Sequence, residues 1–298
     1  MLYDTSNIST DTITNEILYK KNITLSVLRL DKIHPIVSGN KLFKLHYFLE
    51  EAIALAKRGI VTFGGYYSNH LVATAYACKA GGLKSVGFIR GEKPVNLSPT
   101  LVACREYGME LHFMSRDEYN KKEDPAFLEI LLHPFKNFTM VPEGGYHPKG
   151  AAGATLISDF VDEKTTHICT ALGTATTFAG LIAGAKENQQ VIGIPVLKGL
   201  NDIPKRIAYL TKSTHPFQLL EEYHFGGYAK KTPQLINFMN QLYLQQHLPT
   251  DFVYTAKMML AVLSSVEKDF FAPGSKITCL HTGGLQGNQS LPNQTLIF

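Results

Sequence analysis

Twice in this chain a short apolar strand runs into a polar turn, then a helix, then a second strand. The first copy opens with Ile60-Val61-Thr62-Phe63 and continues through Gly64-Gly65-Tyr66-Tyr67-Ser68-Asn69-His70. A helix over residues 71–80 is stopped by Gly81-Gly82, and the strand Ser85-Val86-Gly87-Phe88-Ile89 comes next. The second copy has a strand over 167–172 and a turn of Gly173, Thr174, Ala175, Thr176 and Thr177. A helix from about 178 to 186 and a strand over 191–196 follow. A crossover helix returns the chain to the same edge of a sheet, so the flanking strands run parallel. The expected class is α/β, with parallel-type sheets and flanking helices. The two units are a topological echo and not a sequence repeat.

In such sheets the loops after the strands gather at the carboxyl edge, where ligands bind. Ser68, Asn69 and His70 are therefore placed to face a ligand. The plainer reading is that Ser68 or Asn69 only caps the helix that follows. In residues 173–177 small side chains let backbone N–H groups approach an anion. Threonine hydroxyls add donors, and the helix start adds favourable potential. The turn lacks the Gly-Lys-Ser/Thr ending of a Walker loop and the second and third glycines of the dinucleotide fingerprint. It is a phosphate cup in outline.

A third segment, Ser38-Gly39-Asn40-Lys41-Leu42-Phe43-Lys44-Leu45, sets a lysine where extended chain gives way to a helix. Leu42, Leu45, Phe48, Ala52 and Leu55 keep helical spacing, and Gly59 is the expected stop. Ser38 or Asn40 is the expected cap. Lys41 and Lys44 share one face of the first turn, where cations are electrostatically disfavoured. The pair asks for an anionic partner, against the alternative of two solvated surface lysines.

With these three segments and two others, the sequence resembles the fold-type II pyridoxal-phosphate enzymes, whose architecture is that of the tryptophan synthase β chain. Within them it resembles the 1-aminocyclopropane-1-carboxylate (ACC) deaminase and D-cysteine desulfhydrase family. The matching stretches are Gly39-Asn40-Lys41-Leu42-Phe43-Lys44, Tyr67-Ser68-Asn69-His70, and Thr177-Phe178-Ala179-Gly180-Leu181. Val253-Tyr254-Thr255-Ala256-Lys257-Met258 and His281-Thr282-Gly283-Gly284 complete the set, in the family's order.

The resemblance implies two lobes, a small one of residues 45–155 and a large one of 1–44 with 156–298. Pyridoxal 5'-phosphate would lie in the cleft between them. It would be bound covalently to Lys41, with its phosphate on Lys44 and on Gly173, Thr174, Ala175, Thr176 and Thr177. Asn69 would meet the ring hydroxyl, and Thr255 the ring nitrogen. Ser68, Asn69, His70 and the neighbouring Tyr67 would receive the carboxylate of a small amino acid. Lys41, Ser68, Tyr228 and Tyr254 are the implied catalytic set. Each tyrosine has packing as its alternative role. A homodimer is implied as well.

Thr255 bears most on the choice of reaction. ACC deaminases carry glutamate at this place and D-cysteine desulfhydrases carry threonine. A carboxylate holds a pyridine nitrogen protonated, and a neutral hydroxyl supports it less. Ring opening of ACC needs the stronger electron sink, whereas β-elimination expels a good leaving group. The expectation is thus β-elimination of D-cysteine type, giving a 2-oxo acid, ammonia and sulfide. ACC deamination is the alternative. Tyr67 in place of a family glutamine, Ala175 and Ala256 in place of glycines, and Glu143 in a family Pro-Ala-Gly stretch depart from the pattern. They leave a third amino acid open as substrate.

The remaining bounds exclude other classes. A net charge of +4 with no basic block does not indicate nucleic acid. No apolar run spans a bilayer, and the first residues lack a signal-peptide core, so a cytoplasmic enzyme is expected. Cys78, Cys104, Cys169 and Cys279 have no metal-type spacing and are expected as buried free thiols. A non-catalytic pyridoxal-phosphate-binding module and a nucleotide-binding α/β protein are the two other classes at this point.

Overall fold

The computed structural model describes residues 4–37 and 39–298, and among these ten strands form two sheets. Ser38, one of the two capping candidates, lies outside the described residues. In chain order the first five strands are β1 (Ser9–Ile13), β2 (Thr24–Arg29), β3 (Gly59–Gly64), β4 (Lys84–Arg90) and β5 (Met109–Met114). The others are β6 (Phe138–Val141), β7 (His167–Leu172), β8 (Gln190–Pro195), β9 (Phe217–Leu219) and β10 (Lys276–His281).

The smaller sheet has the order β5-β4-β3-β6 and is wholly parallel. The larger has the order β1-β2-β10-β7-β8-β9, parallel except where β1 runs against β2. Both crossover units are present. The helix Asn69–Ala80 joins β3 to β4, and the helix Thr176–Gly184 joins β7 to β8. Every residue of β3 is buried, as a strand covered on both faces by helices requires.

The helix Lys41–Ala54 is the joint between the sheets. Its Leu42, Leu45, Phe48 and Leu49 share one apolar core with Ile60 and Leu71 on one side and Leu172, Phe178 and Leu181 on the other. Burying each such side chain contributes about 1.5–3 kcal/mol, so this seam stabilises both sheets at once.

Three local expectations are corrected. The helix Lys41–Ala54 ends one turn early, with Leu55 as its C-cap and Ala56 at φ 48° in left-handed backbone. Gly59 therefore does not stop it. Gly59 opens β3, where a Cβ would stand 2.2 Å from the Lys84 carbonyl oxygen across the sheet. Asn40 sits at the N-cap position but makes no capping bond, because its side chain is engaged elsewhere. The helix of the second unit starts at Thr176 and ends at Gly184, two residues ahead of expectation at each end.

All four cysteines are buried and free. Among the described residues no helix is long and apolar enough to cross a membrane, and no cluster of residues suited to a metal ion occurs.

Candidate active site

Lys41 opens its helix beside the phosphate-type loop of the other unit. Its ammonium donates to Asn40 Oδ1 at 2.8 Å, and Asn40 Nδ2 donates to Thr177 Oγ1 at 2.7 Å. Asn40 thus ties the lysine to residues 173–177. Gly39 makes this approach possible. At φ +86° it lies so near the Thr282 carbonyl that a Cβ would be 1.9 Å from its oxygen. The Asn40 N–H donates to that same carbonyl at 3.3 Å. The His281-Thr282-Gly283-Gly284 stretch is held in turn by His281, whose Nε2 donates to Pro249 O at 2.8 Å. On its other side, His281 Nδ1 lies 3.2 Å from Asp31, which Arg29 grips with two hydrogen bonds.

Lys44 is 4% exposed and donates to Gly144 O at 3.1 Å. Burial, and then the like charge of Lys41, hold its pKa well below the usual lysine value. Lys41 is pushed down to about 8, by burial against a partial counter-effect from Asp251. Residues 173–177 lead into the helix Thr176–Gly184, and no side chain caps that helix. Ala175 takes left-handed backbone at φ 68°, and the Thr174 and Thr176 hydroxyls meet at 2.9 Å. Gly144 lies against Thr174 from the other strand ending, with a Cβ there falling 3.2 Å from Thr174 Cγ2.

The turn after β3 is arranged differently. Ser68 caps its helix, accepting from Leu71 N at 3.3 Å, and Asn69 is the first helical residue. Tyr67 is exposed at 39%. His70 is 2% exposed, with Nε2 2.9 Å from Thr62 Oγ1. That hydroxyl donates its hydrogen to Val141 O, so His70 Nε2 is the donor to it. The remaining ring atom, Nδ1, is then an acceptor that no donor meets among the described residues; the Pro142 backbone carbonyl lies close enough to the ring to favour its protonated form slightly. Burial, with Lys41 and Lys44 nearby, pushes the ring down to about 3. A neutral ring of this tautomer cannot donate to a carboxylate. What His70 offers there is its backbone N–H at the helix start.

Tyr254 faces Gly173, where a Cβ would lie 3.2 Å from the Tyr254 ring. Tyr228 packs edge-on to Tyr254 at 6.2 Å between ring centres. Burial raises the Tyr254 hydroxyl well above the usual value, so it keeps its proton at neutral pH.

Asp251, which the sequence reading passed over, and Lys257, which it quoted without a role, organise this end. Asp251 is 1% exposed. Its Oδ2 accepts from the Val253 and Tyr254 N–H groups, each at 2.9 Å. Its Oδ1 accepts from Thr255 N at 2.9 Å and from Thr255 Oγ1 at 2.7 Å. The Thr255 hydroxyl hydrogen is therefore committed to Asp251. Lys257 is fully buried and donates to His224 O at 2.9 Å and Gly227 O at 2.8 Å. It clamps the loop that carries Tyr228. An Asp just ahead of a helix is a capping signal that could have been seen in the sequence. A buried lysine leaves no such signal, since lysine is by default a surface residue.

A family model described as pyridoxal-phosphate dependent enzyme matches residues 18–283. The chain belongs to this family. A Thermotoga maritima protein that carries a provisional ACC deaminase name is 30% identical, over 90% of this chain and 91% of its own length. The mitochondrial bifunctional D-cysteine desulfhydrase/ACC deaminase of Arabidopsis thaliana is 25% identical, over 84% of this chain and 70% of its own. In fold, a crystal structure of an ACC deaminase homologue superposes with a TM-score of 0.81 at 24% identity, covering 97% of this chain and 92% of that one.

The residues of this pyridoxal-phosphate enzyme fit its cofactor. A half-buried lysine, Lys41, and a buried one, Lys44, stand together, and no carboxylate forms an ion pair with either among the described residues. Beside them an uncapped helix start offers N–H groups. A phosphate dianion answers both features. A lysine attacks the cofactor's aldehyde only as the neutral amine, and Lys41 is the lysine proposed for it. Stripped enzyme should therefore take up pyridoxal phosphate faster as pH rises through about 8, and level off above it. Stopped-flow absorbance across pH 6.5–9.5, in steps of roughly half a unit, checks this. A flat profile would show that the Lys41 amine is not the titrating group.

Proposed function

We propose that the chain catalyses β-elimination from a thiol-bearing amino acid of the D-cysteine type, giving pyruvate, ammonia and sulfide. When bound, the cofactor supplies the electron sink for cleavage at the amino acid's α-carbon. Lys41 anchors it and exchanges a proton at that carbon. Lys44 and residues 173–177 hold the phosphate, Asn69 the ring hydroxyl and Thr255 the ring nitrogen. The Ser68 hydroxyl and the backbone N–H groups of Asn69 and His70 orient the substrate carboxylate, with Tyr67 walling the pocket. Tyr254 and Tyr228 shield the opposite side from water, and Tyr254 can hand a proton to the departing group. The lobes are read as residues 45–155 and 1–44 with 156–298, and the working form as a cytoplasmic homodimer. Family resemblance is the support for those last points. Light scattering at twice the 33.0 kDa chain mass would bear out the dimer.

The observation that carries the reaction type is Thr255. The ring nitrogen meets a hydroxyl and not a carboxylate. Asp251 stands one hydrogen bond further back. It takes the hydroxyl's hydrogen, and its own backbone N–H donates to that oxygen at 2.7 Å, so one lone pair remains for the ring nitrogen and passes on less charge than a carboxylate in contact would. That favours a reaction with a good leaving group over opening of a cyclopropane. Two aromatic hydroxyls at the substrate end support turnover over mere cofactor carriage. The test compares keto-acid release from ACC, from D-cysteine and from L-cysteine. D-cysteine is expected to be fastest. Faster turnover of ACC would overturn the argument from Thr255.

A further inference from the structure

Lys257 lies in the first turn of the helix Thr255–Glu267 and is 0% exposed, yet among the described residues it has no ion pair. A buried charge costs free energy unless its hydrogens are satisfied. Here backbone carbonyls satisfy them, His224 O at 2.9 Å and Gly227 O at 2.8 Å. Burial lowers the pKa to about 8, with Asp251 opposing, so the ammonium form is present at neutral pH.

The two carbonyls belong to a tightly curled stretch of backbone. Gly227 N donates to His224 O at 3.0 Å and Lys230 N to Gly227 O at 3.2 Å, so two successive turns share Gly227. Phe225, Gly226, Gly227 and Ala229 all have positive φ, at 51°, 88°, 114° and 52°. Glycine takes such angles freely, but Phe225 and Ala229 do so at a cost. Backbone of this kind persists only where its surroundings hold it. Phe225 is held by the apolar cluster around Leu235, Met239 and Phe252. Among the described residues, none from 226 to 230 joins an apolar cluster. Lys257 supplies the missing anchor, because it reaches the carbonyls of both turns.

Tyr228 is the side chain that this arrangement places. It follows Gly227 directly and is 53% exposed, so little burial of its own holds it. It packs edge-on to Tyr254, 6.2 Å between ring centres. Tyr254 stands at the N-cap of the helix that carries Lys257. The lysine therefore ties the helix behind one ring to the loop behind the other.

We propose that Lys257 is a positioning residue that works by its charge: the ammonium gathers the His224 and Gly227 carbonyls and, through Gly227, sets Tyr228 against Tyr254 at the substrate end. This rests on the reading of those two rings as part of that end. A charged donor bonds a carbonyl about twice as strongly as a neutral one, and an ammonium offers three hydrogens. A neutral side chain of the same length would fill the space and leave the loop without its anchor.

The chain has no tryptophan, so Tyr228→Trp places a single fluorescent reporter on the loop. In holoenzyme carrying that reporter, adding Lys257→Ala should shift the emission to the red and raise its quenching by acrylamide. Methylammonium chloride, small enough for the space the lysine leaves, should reverse the shift. Tetramethylammonium chloride at the same ionic strength has no N–H and should not. Lys257→Met, which fills the space without charge, should show the red shift and no response to methylammonium. With Tyr228 in place, Lys257→Met should lower kcat/KM for D-cysteine by at least about tenfold, the scale of one charge-assisted hydrogen bond. The double variant Lys257→Met with Tyr228→Ala should lose no more than the larger of the two single losses, because both remove the same placement. A reporter that does not move, a shift that methylammonium leaves in place, or losses that add would each overturn the proposal. Failure of both lysine variants to fold, with methylammonium present, would make Lys257 a core residue and overturn it too. A still reporter in an enzyme active on D-cysteine would sink this proposal alone. A reporter that behaves as expected in an enzyme inactive on D-cysteine would sink the β-elimination reading and leave the role of Lys257 standing.

Discussion

Lys41→Ala should remove keto-acid release while leaving the fold intact. The side chain is asked both to attach the cofactor and to move a proton at the substrate's α-carbon. Proton transfer by a placed group is typically worth about 10²–10⁴-fold in rate, and the loss of attachment adds to that. The structural consequence is small. The amine makes one hydrogen bond, to Asn40, and burial already disfavours its charge. The variant's urea midpoint should match the parent's or exceed it slightly. Its visible spectrum should show only loosely held cofactor. Residual turnover within about tenfold of the parent would place the reacting lysine elsewhere.

Asp251→Asn is expected to be the most damaging change to stability in the site. The carboxylate takes four hydrogen bonds, three from backbone N–H groups at the start of the helix Thr255–Glu267 and one from the Thr255 hydroxyl. An asparagine oxygen can serve the Thr255 side. Its amide then turns two hydrogens toward the Val253 and Tyr254 N–H groups, which lose their acceptor. Each buried donor left without a partner costs about 1–3 kcal/mol. A loss of about 2–6 kcal/mol in urea unfolding follows. Thr255→Ser keeps the hydroxyl and should cost less than about 1.5 kcal/mol. The replacement at Asp251 also removes the negative charge behind the Thr255 hydroxyl, so cofactor absorption should shift in Asp251→Asn and stay put in Thr255→Ser. Equal stability of parent and Asp251→Asn would mean that this carboxylate does not hold the helix start.

Much of the frame was legible because the relevant signals are local. Ile60-Val61-Thr62-Phe63 and the strand over 167–172 are apolar runs bounded by glycines, and both became buried parallel strands. The turns that follow them carry the polar residues expected at a carboxyl edge. The helix Lys41–Ala54 ended early for a reason the sequence hid. Gly59 looks like a terminator, but it is needed for close approach to Lys84 in the next strand. Asn40 looks like a cap, but Thr177, far along the chain, competes for its side chain.

The candidate site was legible in its cofactor half. Lys41, Lys44 and residues 173–177 announce an anion through charge and loop chemistry. The substrate half was not. His70 reads as a side chain facing the substrate until its ring is seen to donate to Thr62, whose own hydroxyl is spent on Val141. Tyr228 and Tyr254 come from two segments and meet only after the chain has folded. Lys257 acts through carbonyls of a loop some thirty residues earlier, which no spacing rule reports. Thr255 alone suggested a neutral partner for the ring nitrogen. The Asp251 carboxylate just ahead of it, a local capping residue, refines the expectation without changing the favoured reaction.

The central claim is that pyridoxal phosphate is held by Lys41 in this cleft. Borohydride reduction of the holoenzyme, followed by peptide mapping, tests it most directly. The account predicts a single labelled peptide with the reduced cofactor on Lys41. Label on Lys44, on Lys257 or on a surface lysine would contradict it.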